Sequence, residues 1–289
     1  MHRQSFPQVD HRLSRGQLGW SMARLSITAA LLFLSGVLAH SGPPIAQFQT
    51  VLGDFDVLLD PAKAPISVKN FAIYANRGAY ASTIIHRSTT YDPTKIQIVQ
   101  GGGFELIANS LEAVPADPPI PLEASLPNSR GTIAMARTSD INSATSQWYF
   151  NVQNNPGLDS NYAVFGRVIG AGMSVVDAMA AVTVYNASGN LGPTFAELPL
   201  LAPELTTTNL VVINSVRVEP FAITNITRSG NTTELRWNSL STNTPVRVER
   251  TADLTNGPWT PVGTNLTTGH FTDTNAPIRG AYYRVVAEP

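Results

Sequence analysis

The sequence predicts a mainly β protein: an antiparallel barrel of about eight short strands with two capping helices, followed by a small β-sandwich-like C-terminal module. Three observations carry this. Short runs rich in β-branched and aromatic residues recur between clusters of Asn, Asp, Gly and Pro, the pattern of strands between turns. Two stretches show helical spacing, the first with a proline near its start and a glycine past its end. After Glu219-Pro220 the texture changes to closely spaced alternating strands and polar turns.

Taken in order, the chain opens with residues 1–41, expected to be a signal region. Basic Arg24 is followed by LSITAALLFLSGVLA, about fifteen apolar or weakly polar residues, where a spanning helix needs roughly 20. Small residues at the −3 and −1 positions suit cleavage after Ala39 or Ser41, and Met22 is a candidate start. The expected location is periplasmic or secreted, with no membrane association beyond this segment.

Residues 45–219 form the expected barrel domain. Ala46 to Asp60 alternates around Gly53-Asp54, which predicts a hairpin turning there. Ala64 to Asn76 predicts a helix, carrying apolar residues at Ile66, Phe71, Ile73 and Tyr74, with Pro65 near the first turn and Gly78 past the end. Ala81 to Arg87 and Ile96 to Gln100 read as strands, and Gly101-Gly102-Gly103 follows directly. No Lys-Ser/Thr comes after that triplet and no βαβ spacing surrounds it, which argues against a phosphate loop.

The stretch from Arg130 to Phe165 is the densest in unexplained polar groups. Gly131 to Ala136, Gln147 to Val152 and Ala163 to Val168 have strand composition, yet Gln147 stands beside Trp148, Tyr149 and Phe150. A partly apolar groove with a few fixed donors has this composition. A second helix is expected at Gly172 to Val182, a long loop at Tyr185 to Asn209, and a strand at Leu210 to Val218.

Composition narrows the chemistry. The chain has 289 residues, 43% of them hydrophobic, enough for packed cores. Arg3, Arg12, Arg15, Arg24 and Asp10 precede residue 40, so the remainder holds 15 basic and 19 acidic residues, a poor partner for nucleic acid or an anionic membrane. Cysteine is absent, which removes disulfides, zinc-thiolate sites and thiol nucleophiles. Ser146 lacks a G-x-S-x-G context and a nearby histidine.

The motifs IIHRS, VQGGGF, RGTIAMART, SATSQWYFNV, LD and YAVFGRVI, followed by GMSVVDAM, resemble in that order the cyclophilin-type peptidyl-prolyl cis-trans isomerases, over about Ala46 to Val218. The likeness is to bacterial, often periplasmic members. It implies a cyclophilin-like eight-stranded barrel, the fold class already expected from the element count. It also implies a site in which Arg87 is catalytic, in Ile85-His86-Arg87 where the family has Phe-His-Arg. Ile98, Tyr149, Leu158, Tyr162 and Phe165 would line the proline pocket, and Gln100, Ala136, Arg137 and Gln147 would hold the peptide backbone. His86 is expected to be a buried, hydrogen-bonded histidine rather than a base. No cofactor or metal is implied; the partners would be proline-containing polypeptides and the chain a monomer.

Departures from the family pattern suggest a more open pocket. Gln97 stands where the family has phenylalanine, and Gly157 where it has tryptophan or phenylalanine. Thr89 to Thr94 is an insertion, whose Tyr91 is a candidate to fill the gap. A non-catalytic peptide-binding or chaperone module on the same fold is therefore the alternative function. Residues 220–289 predict about six short strands, with envelope attachment, glycan binding, protein binding or spacing as candidate roles, and an envelope-attached binding protein as a further alternative.

Overall fold

A computed structural model describes residues 42–288 apart from 90–94, 239, 241–243 and 278–279. The expected signal region, and Tyr91 with most of its insertion, lie outside the described residues.

β1 (Pro44–Thr50) and β2 (Gly53–Leu59) form the first hairpin. Its turn falls at Val51-Leu52, two residues earlier than Gly53-Asp54. Thr50 fixes it there: its hydroxyl accepts from Leu52 N and donates to Gly53 O, and Gly53 takes φ +128. α1 (Pro65–Asn76) follows and buries Val68, Phe71, Tyr74 and Ala75. The apolar Ile66 and Ile73 are 42% and 47% exposed, because the buried stripe runs through 68, 71 and 75.

β3 (Thr83–Ile84) and β4 (Arg87–Ser88) are short, and β5 (Ile98–Gly101) leads into a hairpin of β6 (Phe104–Ile107) and β7 (Ser110–Ala113). Sequence reading missed that hairpin, whose turn uses Ala108 and Asn109 at positive φ. β8 (Thr132–Met135), β9 (Trp148–Asn151) and β10 (Val164–Ile169) fall on the three strands of the central stretch, and α2 (Met173–Ala180) on the second helix. The expected loop at Tyr185 to Asn209 is more ordered than that. It holds the tail of β11 (Val184–Tyr185), the one-turn α3 (Ser188–Leu191) and β12 (Leu198–Pro199), and β11 pairs with β12. β13 (Val212–Pro220) closes the domain.

The strands curl in the order β5-β9-β8-β10-β2-β1-β13, all antiparallel. The segment from β3 to β4 joins the two ends: Ile84 pairs with Val212 and Ile85 N donates to Val211 O, while Arg87 pairs with Gln100 and His86 N donates to Gln100 O. Counting that segment as one strand gives the eight-stranded antiparallel barrel. Its interior is aromatic. Phe48 stacks on Phe55 at 4.8 Å, and Trp148 and Phe150 meet Phe48 edge-on at 5.3 and 5.5 Å.

The glycine triplet serves this core. A side chain at Gly101 or Gly102 would come within 2.7 and 2.6 Å of the Trp148 indole, and Gly102 has φ +74. The backbone must pass that close for Trp148 to fill the barrel.

The last strands are β14 (Ile223–Ser229), β15 (Thr232–Trp237), β16 (Val246–Thr251), β17 (Thr260–Leu266), β18 (His270–Asp273) and β19 (Tyr282–Ala287). They form two three-stranded sheets, β14-β15-β18 and β17-β16-β19. Their shared core of Leu235, Trp237, Val246, Val248, Tyr283 and Val285 also takes in Ile45 and Ile169 from the barrel. Thr244 adds a 2.8 Å hydrogen bond to buried Asp56 of β2. The expected boundary at Glu219-Pro220 thus lies inside β13, and the two parts share a core across it. Among the described residues no helix is long and apolar enough to cross a membrane.

Candidate active site

Strand register assembles the site. Residues directly opposite in an antiparallel pair point to the same face. Arg87 is opposite Gln100, Gln100 opposite Tyr149, Tyr149 opposite Ala134, and Ala134 opposite Val164. This row runs across five strands. The alternate row of Val99, Phe150 and Ile133 fills the interior, so the first row lies on the barrel's outer face.

Apolar residues on an outer face need cover. Leu126, Leu158 and Tyr162, from the loops flanking β8 and β10, join Ile98, Ala134, Tyr149 and Val164 in a separate cluster. Above it lies a cavity of about 1090 Å³ bordered by Arg87, Ile98, Gln100, Ala136, Arg137, Tyr149, Leu158 and Tyr162. Eight of the ten expected site residues meet there. Gln147 joins them at one remove, since its Oε1 accepts from Gln100 Nε2 at 2.8 Å while its side chain rests on Gly103.

Phe165 does not reach the pocket. It points into the barrel core, fully buried, 5.1 Å from Phe71. Strand alternation explains the difference, because its neighbour Val164 is the residue of β10 that faces the site. A second cavity, of about 860 Å³, lies between barrel and C-terminal module, bordered by Leu58, Val164, Arg167 and Val286 among others. It lacks the Arg87–Gln100–Tyr149 row.

Three asparagines that sequence reading did not single out brace the pocket wall. Tyr149 donates its hydroxyl to Asn128 Oδ1 at 2.7 Å, and Asn151 Nδ2 donates to the same oxygen. Asn155 Nδ2 donates to Asn151 Oδ1 and to Gln97 O, and Asn155 Oδ1 accepts from Gln97 N. Buried polar groups satisfied in this way make the wall rigid. Two of them stand in the run Asn151-Val152-Gln153-Asn154-Asn155, and Asn128 joins them only once the chain is folded.

Gln97 is itself buried, its backbone N–H and carbonyl bonded to Asn155 of that wall. At Gly157 an added side chain would meet nothing within 4 Å.

The charges are arranged with care. Arg87 Nε donates to Glu197 Oε2 at 2.7 Å. Arg137 lies over the Tyr162 ring at 4.5 Å and donates from Nε to Asn161 O. Burial, and then Tyr162 beside it, push the Tyr149 phenol well above its ordinary pKa, so it stays a neutral donor. His86, buried and next to the Arg87 charge, is lowered to about 4. It is neutral at pH 7 and closed off from solvent, as expected from the sequence, but among the described residues neither ring nitrogen has the expected hydrogen-bond partner.

Known proteins are similar to this chain in sequence. Residues 45–194 match the family described as cyclophilin type peptidyl-prolyl cis-trans isomerase/CLD. The chain is 44% identical over 169 residues to peptidyl-prolyl cis-trans isomerase A of Dickeya dadantii, spanning 56% of this chain and 82% of that protein. It is 44% identical over 163 residues to a peptidyl-prolyl cis-trans isomerase of Acinetobacter baylyi, spanning 54% and 80%. With isomerase B of Escherichia coli it shares 39% over 148 residues, 48% of this chain and 85% of that one. With the barrel closed around an aromatic core and the motifs standing in order along it, the chain belongs to the cyclophilin-type peptidyl-prolyl cis-trans isomerase family.

Proposed function

We propose that this chain accelerates cis–trans rotation about X-Pro bonds, with the proline ring against Ile98, Tyr149 and Leu158 and Arg87 at its amide nitrogen. The observation that carries this is the alignment of Arg87, Gln100 and Tyr149 across adjacent strands beside an apolar pocket.

Rotation must cross a barrier of about 20 kcal/mol because the nitrogen lone pair is shared with the carbonyl. At the twisted midpoint that lone pair is localised and the nitrogen becomes basic. A fixed guanidinium then hydrogen-bonds to it, an interaction much weaker in the planar ground state, which is the difference catalysis requires. Arginine suits the task because its charge is permanent and its fork rigid. Gln100, held by Gln147, and Ala136 with Arg137 would fix the peptide backbone while the apolar pocket stops the ring from turning with the bond.

The substrates in this account are proline-containing segments of exported proteins, a role resting on the signal-like pattern of residues 1–41. An alkaline phosphatase fusion to those residues tests it, with external activity expected. For the activity, the full chain is assayed on an Ala-Pro peptide by protease-coupled cleavage. Cis-to-trans conversion faster than the uncatalysed tens of seconds is expected; an unchanged rate would refute the proposal.

A further inference from the structure

We propose that Glu197 is a positioning residue for Arg87, presented by a segment of the chain built to hold it. The inference rests on the assignment of Arg87 to the amide nitrogen and goes beyond it. Arg87 rises from a two-residue strand at the barrel rim, and its side chain is 42% exposed. An arginine so placed loses rotamer freedom only if something holds it. Glu197 does so at Nε, 2.7 Å away. A charge-assisted bond at that nitrogen sets the plane of the guanidinium and leaves the terminal N–H groups for the substrate.

Glu197 is itself fixed from both sides. Ser88 N, next to Arg87, donates to Glu197 O at 2.9 Å. Leu198 pairs with Tyr185, and Phe195 packs on Phe104 at 4.6 Å, with both Leu198 and Phe195 buried. Ala187 N donates to Phe195 O, which ties the segment back to α3. Pro193, Thr194 and Ala196 border the same cavity as Arg87. The stretch matched to the family ends at residue 194, three short of Glu197.

Stability alone gives this pair little purpose. Both side chains are more than a third exposed, and pairs of that kind contribute little to folding. Their measurable effect should fall on turnover.

The test is peptide isomerisation by the full-length chain, with kcat and KM measured separately. In Glu197→Ala the guanidinium loses its anchor; kcat is expected to fall about tenfold with KM nearly unchanged and Tm preserved. Glu197→Gln keeps an oxygen that accepts from Nε, so most of the rate should return. In an Arg87→Ala background, Glu197→Ala should have no further effect, because the two side chains act as one unit. Wild-type kcat in Glu197→Ala, failure of Glu197→Gln to restore it, or independent effects of the two substitutions would each overturn the inference. Were Glu197→Ala neutral while Arg87→Ala is inactive, only the positioning role would fall. An inactive wild-type chain would overturn this role together with the proposed function.

Discussion

Gly157 precedes Leu158 of the pocket, and a Cβ placed there meets nothing within 4 Å among the described residues. Gly157→Trp should therefore be accommodated and add an apolar wall for the bound peptide. A partly buried ring of this kind contributes about 1 kcal/mol, so KM should drop roughly fivefold with kcat little changed. Steady-state kinetics checks this, and an unchanged KM would mean the open space lies off the peptide's path. His86 makes a second prediction at this scale. Its native pKa of about 4 lies below the unfolded value of about 6.5, so between those pH values only the unfolded chain takes up a proton. Stability is complete above pH 6.5 and is lost as pH falls toward 4, by about 3 kcal/mol. Denaturant unfolding at pH 7 and pH 4.5 measures the loss, and His86→Phe should flatten that slope. Arg87, Gln100 and Tyr149 were legible in the sequence because their motifs are local. Glu197 was not, since 110 residues separate it from Arg87 and only the β4–β12 packing brings them together.

At the scale of elements, strands were easier to read than turns. β8, β9 and β10 fall within a residue or two of their expected positions because period-2 alternation with aromatic and β-branched residues marks them directly. The first turn was misplaced because Gly53-Asp54 looks like a hairpin pair, whereas the hydroxyl of Thr50 decides the register. Phe165, expected in the pocket, lies in the core, because alternation along β10 turns its neighbour Val164 to the outer face. The glycine triplet is a prediction of its own. Gly102→Ala would place a methyl group 2.6 Å from Trp148 Nε1 and 2.9 Å from Ser146 O at positive φ. Backbone strain and overpacking together should destabilise the chain by about 3 kcal/mol. Thermal unfolding measures it; a shift in Tm of a degree or less would contradict the role given to the triplet.

Over the whole molecule, the barrel and the C-terminal module are less separable than the change of texture at Glu219-Pro220 suggests. Sequence patterning marks where strands begin and end, but not which outer face of a barrel is left dry. Here Ile45 and Ile169, with Leu58 partly buried beside them, form a dry patch that the module's core covers. Cutting the chain after residue 219 would expose that patch and leave Asp56 without Thr244. Each large aliphatic residue returned to water costs about 1.5 to 3 kcal/mol. The truncated barrel should therefore melt well below the full chain, or aggregate. Equal Tm values for the two would show that the module only adjoins the barrel. The sheets were legible as six strands, yet the role of the module was not, because nothing in alternating strands names a ligand.

The central claim, that Arg87 beside an apolar pocket turns the X-Pro bond, is tested most directly by NMR exchange on an Ala-Pro peptide. Wild-type chain and Arg87→Ala are compared at equal concentration. The side chain of Arg87 is half-exposed, so its removal should leave the fold and Tm nearly intact. Exchange should be fast with the wild-type chain and slower by at least 100-fold in kcat/KM with the variant. Equal acceleration by both proteins would contradict the mechanism, and no acceleration by either would contradict the function.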